Sequence, residues 1–381
     1  MTLVNKMDEE NTELTKNWIA TSAGNIQNNY VRAHKEDVLY IPFDGSGNII
    51  QNTSSAYTQL AKMETELSIF SKSATFSTID GNRKRKEINN DFETRLCFER
   101  DRDRIVHSDE FRRLADKTQV FLNAGDHQRT RATHSFEVAQ IATSLATSLR
   151  LNPVLANAIA LGHDCGHGPG GHAAEEAFSK YVEGGFNHAT FGADLLEKNH
   201  NLCDVTIDGI RNHSWSLNTP KTCEGEIVAW ADRIAYVCHD YEDATRKQLL
   251  SKSANSENKA LNEFLTLNKS KQISLFINDL VNSTIKNEVI SMSHEMGDIL
   301  CEFRLFNHKH IYNTQESKAQ NVYIINMIDS LVKFYINNFD SIPTKYIDTE
   351  TDNDLSKLEI IISYVAGMTD NYAIELANKH S

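Results

Sequence analysis

The chain has 381 residues, of which 40% are hydrophobic and 24% charged, enough for one large core or two modest ones. A formal charge of −13 excludes a surface that coats polyanions generically, so an anionic ligand has to be met by local cations or a metal. Five prolines is a low count and favours a mostly helical chain, because proline breaks helices and gathers in loops. The opening "MTLVNKMDEENTELTKNW" is polar, so no signal peptide is expected. No run of about 18 apolar residues occurs, so no membrane span is expected. The six cysteines form no CxxC pair, and free thiols in a reducing cytoplasm are the expectation.

Residues 1–91 read as an N-terminal extension of unassigned role, ahead of a main domain over 92–381. Within the extension, "YIPFDGSGNIIQ" (40–51) reads as a short strand or turn and "AYTQLAKMETELSIF" (56–70) as one amphipathic helix. The basic "RKRK" (83–86) reads as a solvated loop; binding of nucleic acid, or of an effector nucleotide at a subunit interface, is the alternative. From Phe92 the helical signal strengthens. "RDRDRIVHSDEFRRLADKTQVF" sets Ile105, Phe111, Leu114 and Phe121 among charges, as on a partly buried helix. "THSFEVAQIATSLATSLR" (133–150) is amphipathic, with Phe136, Ala139, Ile141, Leu145 and Leu149 turned inward. Asn152-Pro153 starts another helix, and "VLANAIALGHDCGH" is apolar nearly all round, hence central and buried. "CEGEIVAWADRIAYVCHDYEDATRKQ" (223–248) is a long helix with Ile227, Trp230, Ile234 and Val237 as its core positions. "ISLFINDLVNSTI" (273–285) reads as helical, and "VYIINMIDSLVKFYINNF" and "KLEIIISYVAGMTDNYAIELANK" supply two closing helices. The fold class is therefore all-α.

Polar chemistry concentrates in "ALGHDCGHGPGGHAAEEAF" (160–178). Adjacent helical residues point about 100° apart, so His163 and Asp164 can reach one ion only near a helix end, which the glycines provide. Imidazole with carboxylate suits Mn²⁺, Fe²⁺ or Zn²⁺ more than Ca²⁺. Two ligands hold a metal weakly. His134 on the preceding amphipathic helix, and Asp232 within the apolar face of "VAWADRIAY", complete an H…HD…D set; an unpaired carboxylate at Asp232 would be costly. Four protein ligands leave two octahedral positions for water and a substrate oxygen. Each residue alone reads more readily as a satisfied polar group or a helix cap than as a ligand, and His239-Asp240 shows that the dipeptide recurs by chance. The ordered set and its flanks carry the reading.

Those flanks resemble a known family. "RDRDRIVHSDEFRRLADKTQVF", "HQRTRATHSFEVAQIA", "GHDCGHGPGGHAAEEAF", "GGFNHATF", "ADRIAYVCHDYEDA" and "YVAGMTDNYA" resemble, in order, motifs of the HD superfamily, specifically its deoxyguanosine triphosphate triphosphohydrolase (dGTPase-like) branch. The resemblance implies an HD-domain helical core at about 130–248 followed by C-terminal helices. It implies one divalent ion (Mn, Fe, Mg, Co or Zn) on His134, His163, Asp164 and Asp232, and a further Mg or Mn accompanying the triphosphate. His172 matches the catalytic histidine, Glu175 the acid that orients it, and His167 and His188 the phosphate-contacting histidines. With a helix starting near His172, Glu175 at i+3 shares its face and can fix its tautomer. A favourable first-turn acid is the other reading of Glu175.

Asp232, Tyr236 and Asp240 fall at i, i+4 and i+8, one stripe down a helix. The resemblance implies that Tyr236 packs under the sugar, excluding a 2′-hydroxyl, and that Asp240 binds the 3′-hydroxyl; by itself Tyr236 reads as readily as a core aromatic. Gln119 matches a contact to the 3′ end, and Arg131 and Arg233 match cations near the triphosphate. The implied activity is hydrolysis of dGTP or another dNTP to deoxynucleoside and tripolyphosphate. A homo-oligomer (dimer, tetramer or hexamer) with a dNTP or single-strand DNA effector and no membrane partner goes with it. Two rivals stand beside this reading. An HD-type nucleotide phosphomonoesterase or phosphodiesterase would not need Tyr236 and Asp240 as a sugar clamp. A regulatory nucleotide or single-strand DNA binder with weak turnover would have no use for the complete ligand set and His172. The chain departs from the family at Gly170, where a phenylalanine is usual, and at Asn187-His188-Ala189 and Phe191-Gly192, which replace Glu-His-Asn and Gln-Ser. These changes leave guanine preference open.

Overall fold

The computed structural model describes residues 25–27, 30–32, 59–87, 94–122, 127–250, 256–347 and 357–380. The strand or turn expected at 40–51 lies outside them. The chain divides into two compact units, residues 1–56 and 57–381. In the first, Asn25–Gln27 pairs antiparallel with Tyr30–Arg32. The second holds fifteen α-helices and no strand among its described residues.

The helix α1 (Gln59–Ile69) falls within the amphipathic stretch at 56–70. Residues 57–87, grouped in the sequence with the extension, are tied into the second unit by buried acids. Glu224 accepts the Thr75 amide at 3.0 Å, the Thr75 hydroxyl at 2.6 Å and the Asn152 amide at 2.8 Å. Arg83 departs from the solvated-loop reading: its side chain is 5% exposed and pairs with Asp101 at 2.6 Å, while Lys84, Arg85 and Lys86 are exposed. The single helix expected over 100–121 is instead α2 (Cys97–His107), α3 (Asp109–Arg113), the 3₁₀ turn Leu114–Asp116 and extended chain. Ser108 causes the break, its hydroxyl accepting the Phe111 amide at 3.1 Å as the cap of α3. Ile105, Phe111, Leu114 and Phe121 are nevertheless all buried.

The helix α4 (Arg131–Ser148) starts from Thr130, whose hydroxyl accepts the Thr133 amide. Ala139, Ile141 and Leu145 are buried as expected, but Phe136 is 54% exposed and Leu149 only partly buried. The inward stripe is set by His134, Val138, Ile141 and Leu145, and Phe136 stands about 200° from His134 around the helix. There it meets Phe111 edge-on, ring centres 5.4 Å apart. Asn152 caps α5 (Pro153–Gly162), its side chain accepting the amides of Val154 and Leu155. Then come α6 (His172–Ser179), α7 (His188–His200), α8 (Asp204–Arg211) and α9 (Cys223–Arg246). The apolar α5 packs against α2, α4, α8 and α9, so its C-terminal end delivers His163-Asp164 to the middle of the main core. Ile227, Ile234 and Val237 of α9 are buried there, and Trp230 is partly buried.

Next are α10 (Lys259–Leu265), α11 (Lys269–Asn287), which covers the expected 273–285 helix, and α12 (His294–Asn307), which runs into a π-helical turn, His308–Tyr312. α13 (Gln315–Asn337) matches the first closing helix. The second is two helices, α14 (Lys357–Ala366) and α15 (Asp370–His380), because Gly367 ends one and the Thr369 hydroxyl accepts the Tyr372 amide at the start of the other. α13 packs on α6, and α14 and α15 pack on α13, so that Phe178, Ile324, Ile328, Leu331, Ile361 and Val365 share a second core beside the glycine-histidine segment. Among the described residues no helix is long and apolar enough to cross a membrane. All six cysteines are free thiols.

Candidate active site

His134 on α4, His163 and Asp164 just past α5, and Asp232 on α9 converge. His134 Nε2 lies 3.0 Å from Asp232 Oδ1, and His163 Nε2 lies 3.7 Å from the same oxygen and 3.4 Å from Asp164 Oδ1. Ligand atoms of His134, His163 and Asp164 all lie within 4.8 Å of one another. Neighbouring donors at about 2.1 Å from an octahedral ion are about 3 Å apart, and opposite ones about 4.2 Å, so this set suits one divalent cation. The His163 ring is held by its Nδ1, 2.6 Å from the Ala160 carbonyl, which turns a buried Nε2 without a hydrogen-bond partner toward the other ligands. Burial opposes ionisation of Asp164, but His163, Arg131 and His167 hold its carboxyl well below the usual range. Burial likewise opposes ionisation of Asp232, and there the bond to His134 wins.

His213, which the sequence reading missed, groups with His163 and Asp232 as a third imidazole near the centre. Its Nδ1 is 2.8 Å from the Ile210 carbonyl, and burial pushes it down to about 3, leaving a neutral ring. In "RNHSW" it follows a helix end with no spacing that connects it to the other histidines.

Beyond the ligand set lies a cluster of rings. His167 stacks on His188 at 3.7 Å with planes 15° apart, and His172 meets His167 edge-on at 5.1 Å. The two segments lie backbone against backbone: a Cβ on Gly166 would fall 2.1 Å from the His188 carbonyl oxygen and 2.4 Å from the Gly192 nitrogen. Glu175 corrects an expectation. Its carboxylate bonds His188, not His172, accepting from Nδ1 at 2.6 Å and from the amide at 2.7 Å. The turn at Gly184-Gly185 folds Asn187-His188 back over the first turn of α6 and supplies this nearer partner. Burial opposes the charge on Glu175, yet the His188 bond holds it down at about 2. His172 opens onto the cavity while protein surrounds it; that desolvation, with Arg131 and His188 nearby, pushes its imidazole down to about 4.

Arg131 is 1% exposed and donates to Asp164 Oδ2 at 2.9 Å, leaving buried Nε and Nη2 without protein partners. Gly171 makes room for it. Its φ is +65°, and a Cβ there would fall 2.4 Å from Arg131 Nη2.

A cavity of about 650 Å³ opens beside these groups, and Gln119, Arg131, Arg233, Tyr236 and Asp240 all line it. Asp240 accepts a hydrogen bond from Tyr312 through Oδ2, and its buried Oδ1 has no partner. Burial pushes its carboxyl up to about 7. The Arg233 guanidinium lies over the Trp215 indole, 3.7 Å from the ring centre, and its Nε is unpartnered. Trp215, Arg304 and Tyr312 also line the cavity and escaped the sequence reading. Tyr312 comes from a polar stretch 72 residues past Asp240, aimed inward by a π-helical turn that no periodicity announces.

This geometry is that of an HD-domain protein, and sequence comparison agrees. Residues 131–237 match the HD domain and residues 290–379 the phosphohydrolase-associated domain. The chain is 37% identical over 318 residues to a deoxyguanosinetriphosphate triphosphohydrolase-like protein of Caldanaerobacter subterraneus subsp. tengcongensis, covering 82% of this chain and 92% of that one. A protein of the same description from Clostridium perfringens is 37% identical over 315 residues (77% and 90%), and one from Rickettsia typhi 31% over 348 residues (74% and 91%). The chain belongs to the deoxyguanosinetriphosphate triphosphohydrolase-like family of HD-domain phosphohydrolases.

Proposed function

We propose that this chain hydrolyses deoxynucleoside triphosphates at the α-phosphorus, releasing deoxynucleoside and tripolyphosphate, with a divalent ion (Mn, Fe, Mg, Co or Zn) held by His134, His163, Asp164 and Asp232. The observation that carries this reading is the meeting of these side chains, His134 and Asp232 being 98 residues apart, beside a cavity lined by His134, Asp164 and Asp232 and by two arginines, Arg131 and Arg233, with guanidinium nitrogens left without partners. When bound, the ion supplies Lewis-acid polarisation of a phosphoryl oxygen. Arg131 and Arg233 offer N–H groups to phosphate oxygens, which is how an acidic protein holds a polyanion. His172, neutral at pH 7, takes the proton of the attacking water and passes it to the departing 5′-oxygen. His188, oriented by Glu175, and His167, stacked upon it, face the same phosphates. Asp240 takes the 3′-hydroxyl beside Gln119, and Tyr236 packs under the deoxyribose.

Identifying the phosphorus products tests this. Each of the four dNTPs is incubated with Mn²⁺, Mg²⁺ or Co²⁺, alone and in pairs. Tripolyphosphate is expected; orthophosphate or pyrophosphate as the primary product refutes α-phosphorus attack. Turnover only with a second dNTP would establish an effector. Activity on deoxynucleotides that survives Asp240→Ala would favour the phosphomonoesterase or phosphodiesterase reading. We further propose a homo-oligomer responsive to dNTP or single-strand DNA, with the catalytic unit expected at 92–381 extended to the whole of the second compact unit, residues 57–381. Light scattering with and without these ligands checks it, and a monomer throughout refutes it.

A further inference from the structure

The C-terminal helices grip two pieces of chain that serve the site. Asp370, the first residue of α15 and 6% exposed, accepts the Thr118 amide through Oδ2 and the Gly170 amide through Oδ1, both at 2.8 Å. One carboxylate thus spans the residue before Gln119 and the loop two residues before His172. Around it, Lys117 Nζ donates to the carbonyls of His167 and Ala366, the latter at 2.9 Å, and Arg113 Nη1 donates to the Gly367 carbonyl at 2.9 Å. Asn371 Nδ2 donates to Asp116 Oδ1 at 2.8 Å. Burying a carboxylate is costly unless its oxygens are filled, and here each oxygen is matched to the backbone of a different segment. Packing alone would ask only for a compact side chain. The Thr118 segment is also held by its bridge to Thr130 and by Gln320, which bonds Val120 and Leu122, and Lys117 reaches the His167 carbonyl; among these groups the Asp370 carboxylate is the one that accepts backbone amides of both segments, and Gly170 sits at φ +78°. We infer that Asp370 is a positioning residue, fixing the separation between Gln119 and His172 across the cavity. Its kinetic consequence rests on the hydrolytic reading above; its structural consequence does not.

Asp370→Asn in the full chain tests this, because it keeps the volume and turns one oxygen into an NH₂ facing an N–H donor. Amide hydrogen exchange is measured first. At least one of the Thr118 and Gly170 amides, the one left facing the new NH₂, should exchange at least about tenfold faster than in the wild type, with α4 and α5 unchanged. Kinetics follow in a double-mutant cycle with Gln119→Ala. The expected result is a loss in kcat of at least about tenfold from Asp370→Asn alone, shrinking to less than about threefold when Gln119 is already alanine, with metal content constant. A merely structural role would multiply the two losses. Unchanged exchange at both amides, faster exchange throughout the core, or multiplicative losses would each overturn the inference. Should the asparagine variant not fold, Asp370→Glu, which keeps the carboxylate on a longer arm, is measured the same way. A wild-type protein that does not hydrolyse dNTPs would sink the proposed function, while the exchange measurement would still decide the role of Asp370.

Discussion

Asparagine at position 240 should make the protein more stable and less active, and the gain should depend on pH. Burial raises the Asp240 carboxyl to about 7 from an ordinary 3.8. The Tyr312 hydroxyl, His134 and Arg129 favour its charge, Asp243 opposes it, and desolvation outweighs the favourable groups. Its folded value lies above its unfolded one. Between pH 4 and 7, therefore, the folded state keeps a proton that the unfolded chain releases, and stability falls as pH rises across that window. About three pH units at about 1.4 kcal/mol each make the full penalty about 4 kcal/mol above pH 7 and nothing below pH 4. Asp240→Asn removes the charge and leaves an acceptor for the Tyr312 hydroxyl. Urea unfolding of metal-free protein should show a gain of about 2–4 kcal/mol at pH 8 and none at pH 4. Losing a charged partner for the 3′-hydroxyl should lower kcat/KM by about 10- to 100-fold. A variant less stable than wild type at pH 8, or equally stabilised at both pH values, would refute the reasoning.

Glu110 has the opposite sign. Burial opposes its charge, but His200 at 2.9 Å and Asn199 at 2.8 Å hold it at about 2, below its ordinary 4.5. Its contribution is present above pH 4.5 and lost as pH falls toward 2, so Glu110→Gln should cost about 3 kcal/mol at pH 7, with the gap narrowing by pH 3.5 in urea titrations. Gly171→Ala should drive Arg131 off Asp164 and cut kcat/KM at least about tenfold, with metal content by elemental analysis unchanged. Mn²⁺ at about 100 times its dissociation constant should add about 2.7 kcal/mol to unfolding, and His134→Ala should abolish the shift in melting temperature; a persistent shift would remove His134 from the ligand set. Glu175→Gln and His188→Asn should each lower kcat without adding to one another, whereas additive losses would return Glu175 to His172.

The convergence of His134, His163, Asp164 and Asp232 was legible because each sits in a patterned helix or at its end: Thr130 and Asn152 cap the helices that carry His134 and His163-Asp164, and the apolar runs fix their faces. What escaped depended on turns. The family resemblance, with the i+3 spacing in agreement, implies Glu175 as the partner of His172, but the Gly184-Gly185 turn returns a nearer imidazole from outside the helix. Phe136 was placed inward by counting apolar residues, although the helix takes its rotation from His134. Tyr312, His213 and Asp370 act across 72, 50 and 252 residues on partners that no local period connects to them. The 100–121 stretch was apolar in the right places, yet one serine hydroxyl cut it into separate helices.

The backbone contact between Gly166 and Gly192 bears on how a ligand reaches the cavity. With no side chains between them, the segments bearing His167 and His188 meet backbone to backbone, and the two rings stack at 3.7 Å. Elsewhere around the cavity, Arg304, Leu305, His308 and Asn321 stand exposed along α12, the π-helical turn and α13. A ligand is expected to enter the cavity along that exposed side, with the histidine wall staying in place.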